Sequence, residues 1–403
     1  MNILIISNQV PFPIHDGYTL RVFHLTRQLA KQHNCYLASF NQNSSDLGPL
    51  EEQKIFQEVE LLPVNRGRPR LLRHFRLSEE NFIELSYPQY FYEIVKRLED
   101  LRRTWKIDGI VSFSELEFSS ALEGLEKVVD ICDCLTLFLE RAYKQKRELL
   151  RVPQKIKSLL HLHRVRAQEC KVCRNFKLIT VISPVDCGRL KKLAGSNQEN
   201  VVVVPNGVDP DLLLHTYKGQ EIEKSIIFWG NLSFPPNYSA VEHFFKEVYE
   251  PYLAVQGVQW FIVGGNPSKN IFDLGKKFEN IIVTGYKKDL YEIASRVPIM
   301  INPMIMGGGL KNKVLEAFAL RRVVISNQMG IEAIQEAKSG VHYIQAESPL
   351  EFATAILDCL SDRKTRSDIG NNARKLVEDN YTWSKVGALW NASINSALTT
   401  KNA

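Results

Sequence analysis

Residues 301–320 read INPMIMGGGLKNKVLEAFAL, and this stretch decides how the rest of the chain is interpreted. It predicts a buried strand ending near Ile301, a glycine loop, and then a helix from Asn312 to Leu320. A helix that begins after such a loop presents unpaired N–H groups and its positive dipole end, which suits a phosphate or diphosphate. Lys311 and Lys313 lie in the predicted first turn, where cations oppose the helix dipole unless an anion is held between them and the N–H groups. The stretch therefore predicts an anion site.

Strands and helices alternate along the chain, and the alternation starts twice. The run NILIISN at residues 2–8 predicts a buried parallel strand, and SIIFWGN at 225–231 repeats its pattern of an apolar run breaking into a polar loop. Alternating strands and helices indicate parallel sheets. We therefore predict an α/β protein of two doubly wound, Rossmann-like sheets. Further strands are predicted at 35–40, 59–62, 109–113, 128–132, 178–182, 201–204, 258–263, 281–284, 298–302, 323–326 and 342–345.

The first predicted helix follows a loop that contains Pro11, Pro13 and Gly17. Asp16 can cap this helix, and Val22, Leu25 and Leu29 recur at helical spacing. Arg21 is expected on its polar face. Because ligands gather at the carboxyl ends of strands in a doubly wound sheet, the loop from Gln9 to Gly17 should face the cleft.

Length and composition exclude several classes of protein. The 403 residues suit two domains of roughly 200 residues each. No apolar run reaches the roughly 20 residues that a membrane-spanning helix needs. Residues 3–6 are too short for a signal peptide and lack its basic start. We therefore expect a cytoplasmic location.

The cysteines are expected to be reduced. Seven is an odd number, and the chain shows no export signal. Cys170 and Cys173, with His161 and His163 upstream, could be interpreted as a zinc site. All four, however, lie on one predicted helix, and no second cysteine pair follows. We expect neither a metal nor a cofactor.

Positive charge is concentrated between residues 141 and 177. This segment holds twelve Lys or Arg residues against Glu148 and Glu169, whereas the whole chain carries a net charge of +6. Apolar residues are interleaved with the charges, and Pro153 predicts a break between two helices. A solvated helix face is the favoured interpretation. The alternatives are a nucleic-acid-binding patch and a surface that contacts an anionic membrane. We expect no nucleic-acid partner, so peripheral membrane contact is the alternative that stays open.

The helix at residues 312–319, NKVLEAFA, followed by VVIS at 323–326, resembles the donor-binding helix of GT-B glycosyltransferases of family 4, the glycosyl transferases group 1. It resembles more closely a bacterial sugar-transferase subgroup from exopolysaccharide gene clusters. The family carries an E-x7-E signature in this segment. Glu316 matches its second glutamate, but Gly308 replaces the first, which usually contacts the donor sugar. The resemblance therefore leaves sugar selectivity open.

The resemblance also implies the positions of the site residues. Lys313 and Glu316 are expected to be catalytic, with Glu316 on the ribose hydroxyls. Donor-binding roles are implied for Gly17, Gly230, Asn231, Tyr286, Gly308, Gly309, Leu310 and Asn312. Acceptor-side positions are implied at Asp16, Tyr18 and Asp133. Asp130 and Asp133 follow a predicted strand, and both could instead cap the next helix.

GT-B proteins have two domains that face each other across a cleft, and the motif PNGVD at 205–209 closes the first of them. The resemblance therefore implies an acceptor domain at 1–205, a hinge at 206–222 and a nucleotide-sugar donor domain at 223–382. A terminal helix at 383–403 should cross back to the first domain.

The implied activity is transfer of a sugar from a UDP- or GDP-linked donor to a glycan, lipid-linked or small-molecule acceptor. Anomeric configuration should be retained, and no metal is required. Two alternatives stay open, a GT-B nucleotide-sugar epimerase or hydrolase and a nucleotide-binding protein without catalysis. A dinucleotide oxidoreductase is disfavoured, because neither first loop carries G-x-G-x-x-G.

Overall fold

The computed structural model describes residues 1–40, 46–64, 83–114, 116–148, 150–195, 199–214 and 219–399. Within them the chain forms two parallel sheets, one of seven strands and one of six. The two doubly wound parallel sheets expected from the sequence are confirmed. The exact domain limits stay a prediction. Residues 215–218 of the expected hinge and 400–403 of the expected terminal helix lie outside the described ranges.

Strands β1 to β7 build the first sheet, in the order β3-β2-β1-β4-β5-β6-β7 with every neighbouring pair parallel. The central strand β1 is an apolar run buried on both faces, because helices cover the two sides of a parallel sheet. The strands are Asn2–Ser7, Asn34–Phe40, Phe56–Leu62, Gly109–Ser112, Glu126–Cys132, Leu178–Val181 and Val201–Val203.

Strands β8 to β13 build the second sheet, in the order β10-β9-β8-β11-β12-β13 and again parallel. All residues of β8, β11 and β12 are buried, as expected for the centre of such a sheet. The strands are Ser225–Trp229, Gln259–Val263, Ile281–Gly285, Ile299–Asn302, Val323–Ser326 and Ile344–Gln345.

Parallel strands can be joined only by long crossover connections. The helices form these connections and cover the faces of both sheets. A π-helical segment, Phe245–Leu253, continues α10 and contains Pro251. In chain order α1 to α17 are Gly17–Leu29, Gly48–Glu51, Ile83–Ser86, Pro88–Thr104, Leu116–Ala121, Leu135–Lys146, Val152–Asn175, Pro184–Ala194, Pro210–Leu214, Pro235–Phe244, Lys269–Lys277, Leu290–Ala294, Asn312–Ala319, Gln328–Ile331, Pro349–Ser361, Arg363–Asn380 and Trp383–Thr399.

Helix α17 packs against the first domain although it follows the second in the chain. Trp383 and Trp390 are fully buried in the same core cluster as β1. The indole of Trp383 stacks on the imidazole of His24 in α1, with ring centroids 4.5 Å apart and planes 4° apart. The last helix therefore completes the hydrophobic core that begins at the first strand.

The two domains meet at the carboxyl ends of their central strands. Ile182 and Val208, which follow β6 and β7, belong to a core cluster otherwise formed by the second domain. In this region the loop after β1 and the loop after β5 approach the loop after β11. Ligand sites of doubly wound sheets lie at such an edge, so the candidate site is built there.

Candidate active site

Residues 307–309 form the glycine loop between β11 and α13. Gly307 and Gly309 have φ of +116° and +67°, values that side chains other than glycine rarely adopt. A Cβ on Gly309 would also lie 2.0 Å from Oδ1 of Asp133 in the first domain. Gly308 differs, because a Cβ there would meet open space. Gly309 is therefore required by both its backbone and its neighbour, whereas Gly308 is not.

Lys311 braces this loop. Its ammonium donates hydrogen bonds to the carbonyl oxygens of Gly308 and Gly309. Burial lowers the pKa of Lys311, and the nearby carboxylate of Asp133 opposes that shift. The sequence predicts that Lys311 holds an anion together with the helix N–H groups. In the structure its ammonium donates to the loop carbonyl oxygens instead, and these hydrogen bonds fix the shape of the loop.

Lys313 lies in the first turn of α13 and is half-buried. Its Nζ donates to Oδ1 of Asn237 at 2.7 Å and lies 3.9 Å from the ring centroid of Phe228. Burial lowers its pKa to about 7, and the positive charge of Lys311 adds to the effect. An ammonium has three donors, so Lys313 keeps donor capacity for an anion at the helix head. Such an anion would also restore its charge.

Glu316 lies one turn further along α13 and is also half-buried. The Nε1–H of Trp229 donates to its Oε2 at 2.8 Å, and Tyr291 also hydrogen-bonds to it. Burial raises the pKa of Glu316, while the bond from Trp229 opposes the shift. A carboxylate has about four acceptor positions, so these contacts orient Glu316 and leave it able to accept from further hydroxyl groups.

The loop after β8 forms one wall beside Lys313. Gly230 has φ of +149°, and a Cβ there would lie 2.8 Å from Nδ2 of Asn237. Asn237 donates to the carbonyl oxygen of Asn231 at 2.9 Å and accepts from Lys313 through its other amide atom. Tyr286, in the loop after β10, is 78% exposed. Asn237 thus connects the loop to the catalytic candidate, a role that the sequence analysis did not assign.

The first domain contributes the head of α1. Asp16 caps this helix by accepting from the backbone N–H of Thr19 at 2.8 Å, as its sequence position predicted. The hydroxyl of Tyr18 accepts from the backbone N–H of Asn8 and bonds to Ser114, which holds the loop after β1 against the loop after β4. Gly17 faces the second domain, and a Cβ there would lie 3.9 Å from Nδ2 of Asn312.

Asp133 lies at the end of β5, open to the cleft and against Gly309. Surrounding protein raises its pKa to about 6, the carboxylate of Asp186 adds to the shift, and Lys311 opposes it. The alternative that Asp130 and Asp133 cap the next helix is wrong. The first N–H groups of α6 are bonded instead by Glu169, which accepts from Leu135 at 2.7 Å.

Asp130 belongs to a hydrogen-bond network that reaches the head of α13. Its two oxygens accept from Nε and Nη2 of Arg21 at 2.8 and 2.6 Å. Arg21 donates to Oδ1 of Asn206 at 2.8 Å, and Asn206 donates to Oδ1 of Asn312 at 3.0 Å. The expectation that Arg21 lies on a polar helix face is wrong, because Arg21 is only 1% exposed. Asn312, expected to bind donor, uses its side-chain oxygen for this contact between domains.

A second contact between the domains comes from α6. Arg141 donates to the carbonyl oxygen of Gly307 at 3.0 Å and pairs with the carboxylate of Glu332 through both terminal nitrogens. Bidentate pairing of this type fixes orientation as well as charge. Arg141 begins the basic segment described above, so part of that segment's charge is used within the molecule.

A cavity of about 510 Å³ is lined by residues of the loop after β5 and of the glycine loop. Asp133 and Lys311 are its charged lining residues, and apolar side chains from both domains form most of the wall. These apolar residues include Leu135, Phe138, Phe234, Pro236 and Met304. The cavity wall thus combines two charged side chains with a mostly apolar lining.

The described residues contain no group of three or more His, Cys, Asp or Glu arranged to hold a metal ion. None of the described helices is long and apolar enough to cross a membrane. Absence of a metal and of a cofactor stays a prediction.

Sequence comparison decides the class of the second domain. Residues 223–362 match the model of the family described as glycosyl transferases group 1. The second domain is a group 1 glycosyl transferase domain. The resemblance to glycosyl transferases group 1 that the sequence suggested is therefore confirmed for this domain. The chain is also similar to an uncharacterised protein from the cps region of Klebsiella pneumoniae, with 21% identity over 305 residues that cover 72% of this chain and 75% of the relative.

Solved structures share the fold of this chain at low sequence identity. HepE of Anabaena, solved with UDP, has 14% identity and a TM-score of 0.66, with 98% of this chain and 100% of that chain covered. A sucrose-phosphate synthase from Thermosynechococcus elongatus has 13% identity and a TM-score of 0.71, with 99% and 100% covered. At these identities the likeness establishes the GT-B fold.

The structure brings most of the predicted site residues into one region. Gly308, Gly309 and Leu310 lie in or beside the glycine loop, and Lys313 and Glu316 follow on α13. Asp133 and Gly17 approach from the first domain. The functional assignment of each residue stays a prediction. Sequence reasoning missed the contacts of Asn206, Asn237, Arg141 and Glu332, because single polar residues in loops carry no periodic signal.

Proposed function

We propose that the protein transfers a sugar from a UDP- or GDP-linked donor to a hydroxyl of a glycan, lipid-linked or small-molecule acceptor, with retention of anomeric configuration. The observation that carries this proposal is the position of Lys313. Its ammonium lies half-buried at the head of α13, beside a glycine loop that abuts a carboxylate of the other domain. HepE of Anabaena has been solved with UDP and with UDP-glucose, which supports testing uridine donors first.

The donor half of the reaction needs charge stabilisation. Negative charge develops on the diphosphate as the glycosidic bond breaks. Lys313, the positive end of α13 and the backbone N–H groups of Gly309 and Leu310 would stabilise that charge before any proton moves. Because a cation and a helix dipole already serve this purpose, we propose turnover without a divalent metal. Chelation by EDTA should therefore leave the rate unchanged.

The rest of the donor is held by the second domain. Glu316, oriented by Trp229, would accept from the ribose hydroxyls. The backbone around Tyr286 would contact the base, and Gly230 and Asn231 would border the diphosphate and sugar. Gly308 leaves open space where a longer side chain would contact the sugar.

The acceptor half is assigned to the first domain. Asp133 would accept a hydrogen bond from the attacking hydroxyl, and its position against Gly309 would bring the acceptor next to the donor diphosphate. Asp16 and Tyr18 border the same region. We assign no carboxylate of the described residues as the nucleophile of a double displacement, so we propose that the acceptor attacks from the face that the diphosphate leaves.

The test begins with binding and ends with stereochemistry. A thermal-shift panel of UDP, GDP, ADP and their sugars identifies the donor, since a ligand that binds only the native state raises the melting temperature. Product formed with that donor is then analysed by NMR for anomeric configuration. Lys313→Ala should lower turnover by roughly a hundredfold or more, the loss typical of one preorganised donor, with exposed Lys287→Ala as the matched control. Inversion, or full activity of a folded Lys313→Ala protein, would contradict the proposal.

A further inference from the structure

The first nine residues of α7 stand away from the body of the first domain. None of the residues from Val152 to Leu160 is buried, whereas Leu162, Val165 and Val172 further along the same helix are. The helix therefore packs on the domain only through its later turns. Its beginning is a projecting helical end about two and a half turns long.

This projecting end carries an apolar stripe. Val152, Ile156, Leu159 and Leu160 are 68%, 54%, 47% and 51% exposed. Their spacing of four, seven and eight residues places them on one helix face. Single exposed apolar residues are common, but four on one face of an unpacked helix end mark a surface that is covered by something else.

Basic side chains surround the stripe. Lys144, Arg147 and Arg151 precede it and Lys155 and Lys157 lie within it, with Glu148 as the acidic residue between them. In the described part of the chain none of these five forms an ion pair. By contrast, Arg141 pairs with Glu332 and Arg166 pairs with Glu140. The apolar stripe is therefore accompanied by five basic side chains that no carboxylate of the described residues neutralises.

We propose that residues 144–148 and 150–160, the docking surface, bind an anionic phospholipid bilayer, with the stripe inserted among the headgroups and the basic side chains on the phosphates. An apolar face bordered by lysine and arginine is the pattern of interfacial helices. A second copy of the chain fits less well, because pairing the two stripes would bring two sets of these cations together. The surface predicted from the sequence is thereby reduced from 141–177 to its first part.

The position of the surface relative to the cavity gives the docking a consequence. Helix α6 begins at Leu135 in the cavity wall and ends at Lys146, next to the docking surface. Its 12 residues span roughly 18 Å at the usual helical rise. A membrane bound at the docking surface would thus lie one helix length from the cavity.

Vesicle co-sedimentation of the full chain, without donor or acceptor, tests the docking independently of catalysis. Phosphatidylcholine vesicles are compared with vesicles that contain roughly one-third phosphatidylglycerol. We expect binding only to the anionic vesicles. Lys155→Gln with Lys157→Gln should weaken it by roughly fivefold per residue, and Ile156→Ser with Leu160→Ser should weaken it by more than tenfold. The control pair, Phe272→Ser with Leu350→Ser, replaces similarly exposed apolar residues of the second domain and should bind as the native protein does.

Three results would overturn the proposal. The first is failure of the native chain to bind anionic vesicles. The second is unchanged binding of the Ile156→Ser, Leu160→Ser variant while the lysine variant loses it, because this would indicate a general polyanion surface. The third is native self-association that this stripe variant abolishes, measured by sedimentation equilibrium in the absence of lipid, because this would assign the stripe to a second copy. Equal melting temperatures of all variants show that the fold is intact.

Discussion

Asn206, which follows β7 of the first sheet, donates a hydrogen bond to Asn312 at the head of α13 over 3.0 Å. Behind Asn206, Arg21 and Asp130 form a buried ion pair, so the contact starts in the core of one domain and ends beside the catalytic candidate of the other. Lys313 is the next residue along. The relative position of the domains is therefore coupled to the position of the anion-binding helix.

We expect Asn206→Ala and Asn312→Ala each to lower kcat/KM by about tenfold or less, and the double variant to lose no more than either single one. The reason is that one hydrogen bond, worth about 1 kcal/mol, is removed in all three. A double-mutant cycle on kcat/KM measures the coupling. Additive losses would show that the two side chains act separately, and Asn372→Ala, exposed on α16, serves as a polar control.

Lys313 should take up a proton when a nucleoside diphosphate binds. Its pKa is lowered to about 7 in the free protein, so at pH 8 most molecules hold a neutral amine. A bound diphosphate favours the charged form and raises the pKa again. Calorimetry of UDP binding in buffers of different ionisation enthalpy should show uptake that increases from pH 6 to pH 8. Lys313→Met should remove it, and uptake that persists in this variant would assign the proton elsewhere.

Asp133 should set the acidic limb of the pH profile. Its pKa is raised to about 6, so the ionised fraction falls below that pH and the acceptor hydroxyl loses its hydrogen-bond acceptor. The profile of kcat/KM should therefore decline below pH 6 and, through Lys313, above pH 7. Asp133→Asn should lower kcat/KM by about a hundredfold and flatten the acidic limb. A variant profile that keeps this limb would exclude Asp133 as its source.

Gly308 and Gly309 offer a matched pair. Gly309→Ala places a Cβ at φ +67° and against Oδ1 of Asp133, so we expect a lower melting temperature and at least a tenfold loss of kcat/KM. Gly308→Ala meets open space and should change neither by much. Gly308→Glu should also fold, and by the family resemblance it should change the preference among donor sugars. Equal effects of the two alanine substitutions would contradict this account of the loop.

His24 should make stability dependent on pH. Burial lowers its pKa to about 3, and the charge of Arg27 adds to the shift, whereas the unfolded chain titrates near its ordinary value of 6.5. Between these two values the unfolded state binds a proton that the folded state excludes, so stability decreases as pH falls, by about 1.4 kcal/mol for each pH unit.

His24→Phe keeps an aromatic ring against Trp383 and removes the titrating group. The melting temperature of the native protein should therefore decrease more steeply than that of the variant between pH 6.5 and pH 5. Parallel curves would show that His24 is protonated in the folded state.

The fold was predictable because each strand is a local apolar run, and all of the predicted strands are present. Lys313 and Glu316 were accessible through their motif. Arg21 could have been recognised as buried, since it precedes Leu25 by four residues and Leu29 by eight on the same helix face. Its partner Asp130 is 109 residues away, and Asn206 and Asn312 are 106 apart. No local pattern specifies such pairs, because they depend on how the domains are placed together.

The packing of α17 into the first core has a consequence for biosynthesis. Trp383 and Trp390 emerge from the ribosome after the whole second domain, yet they fill space beside Ile3 and Ile5. Domains usually fold in the order in which they are made. Here the core of the domain that is translated first is completed only when α17 has been made. A nascent chain that lacks α17 therefore exposes its first apolar strand to chaperones and to aggregation.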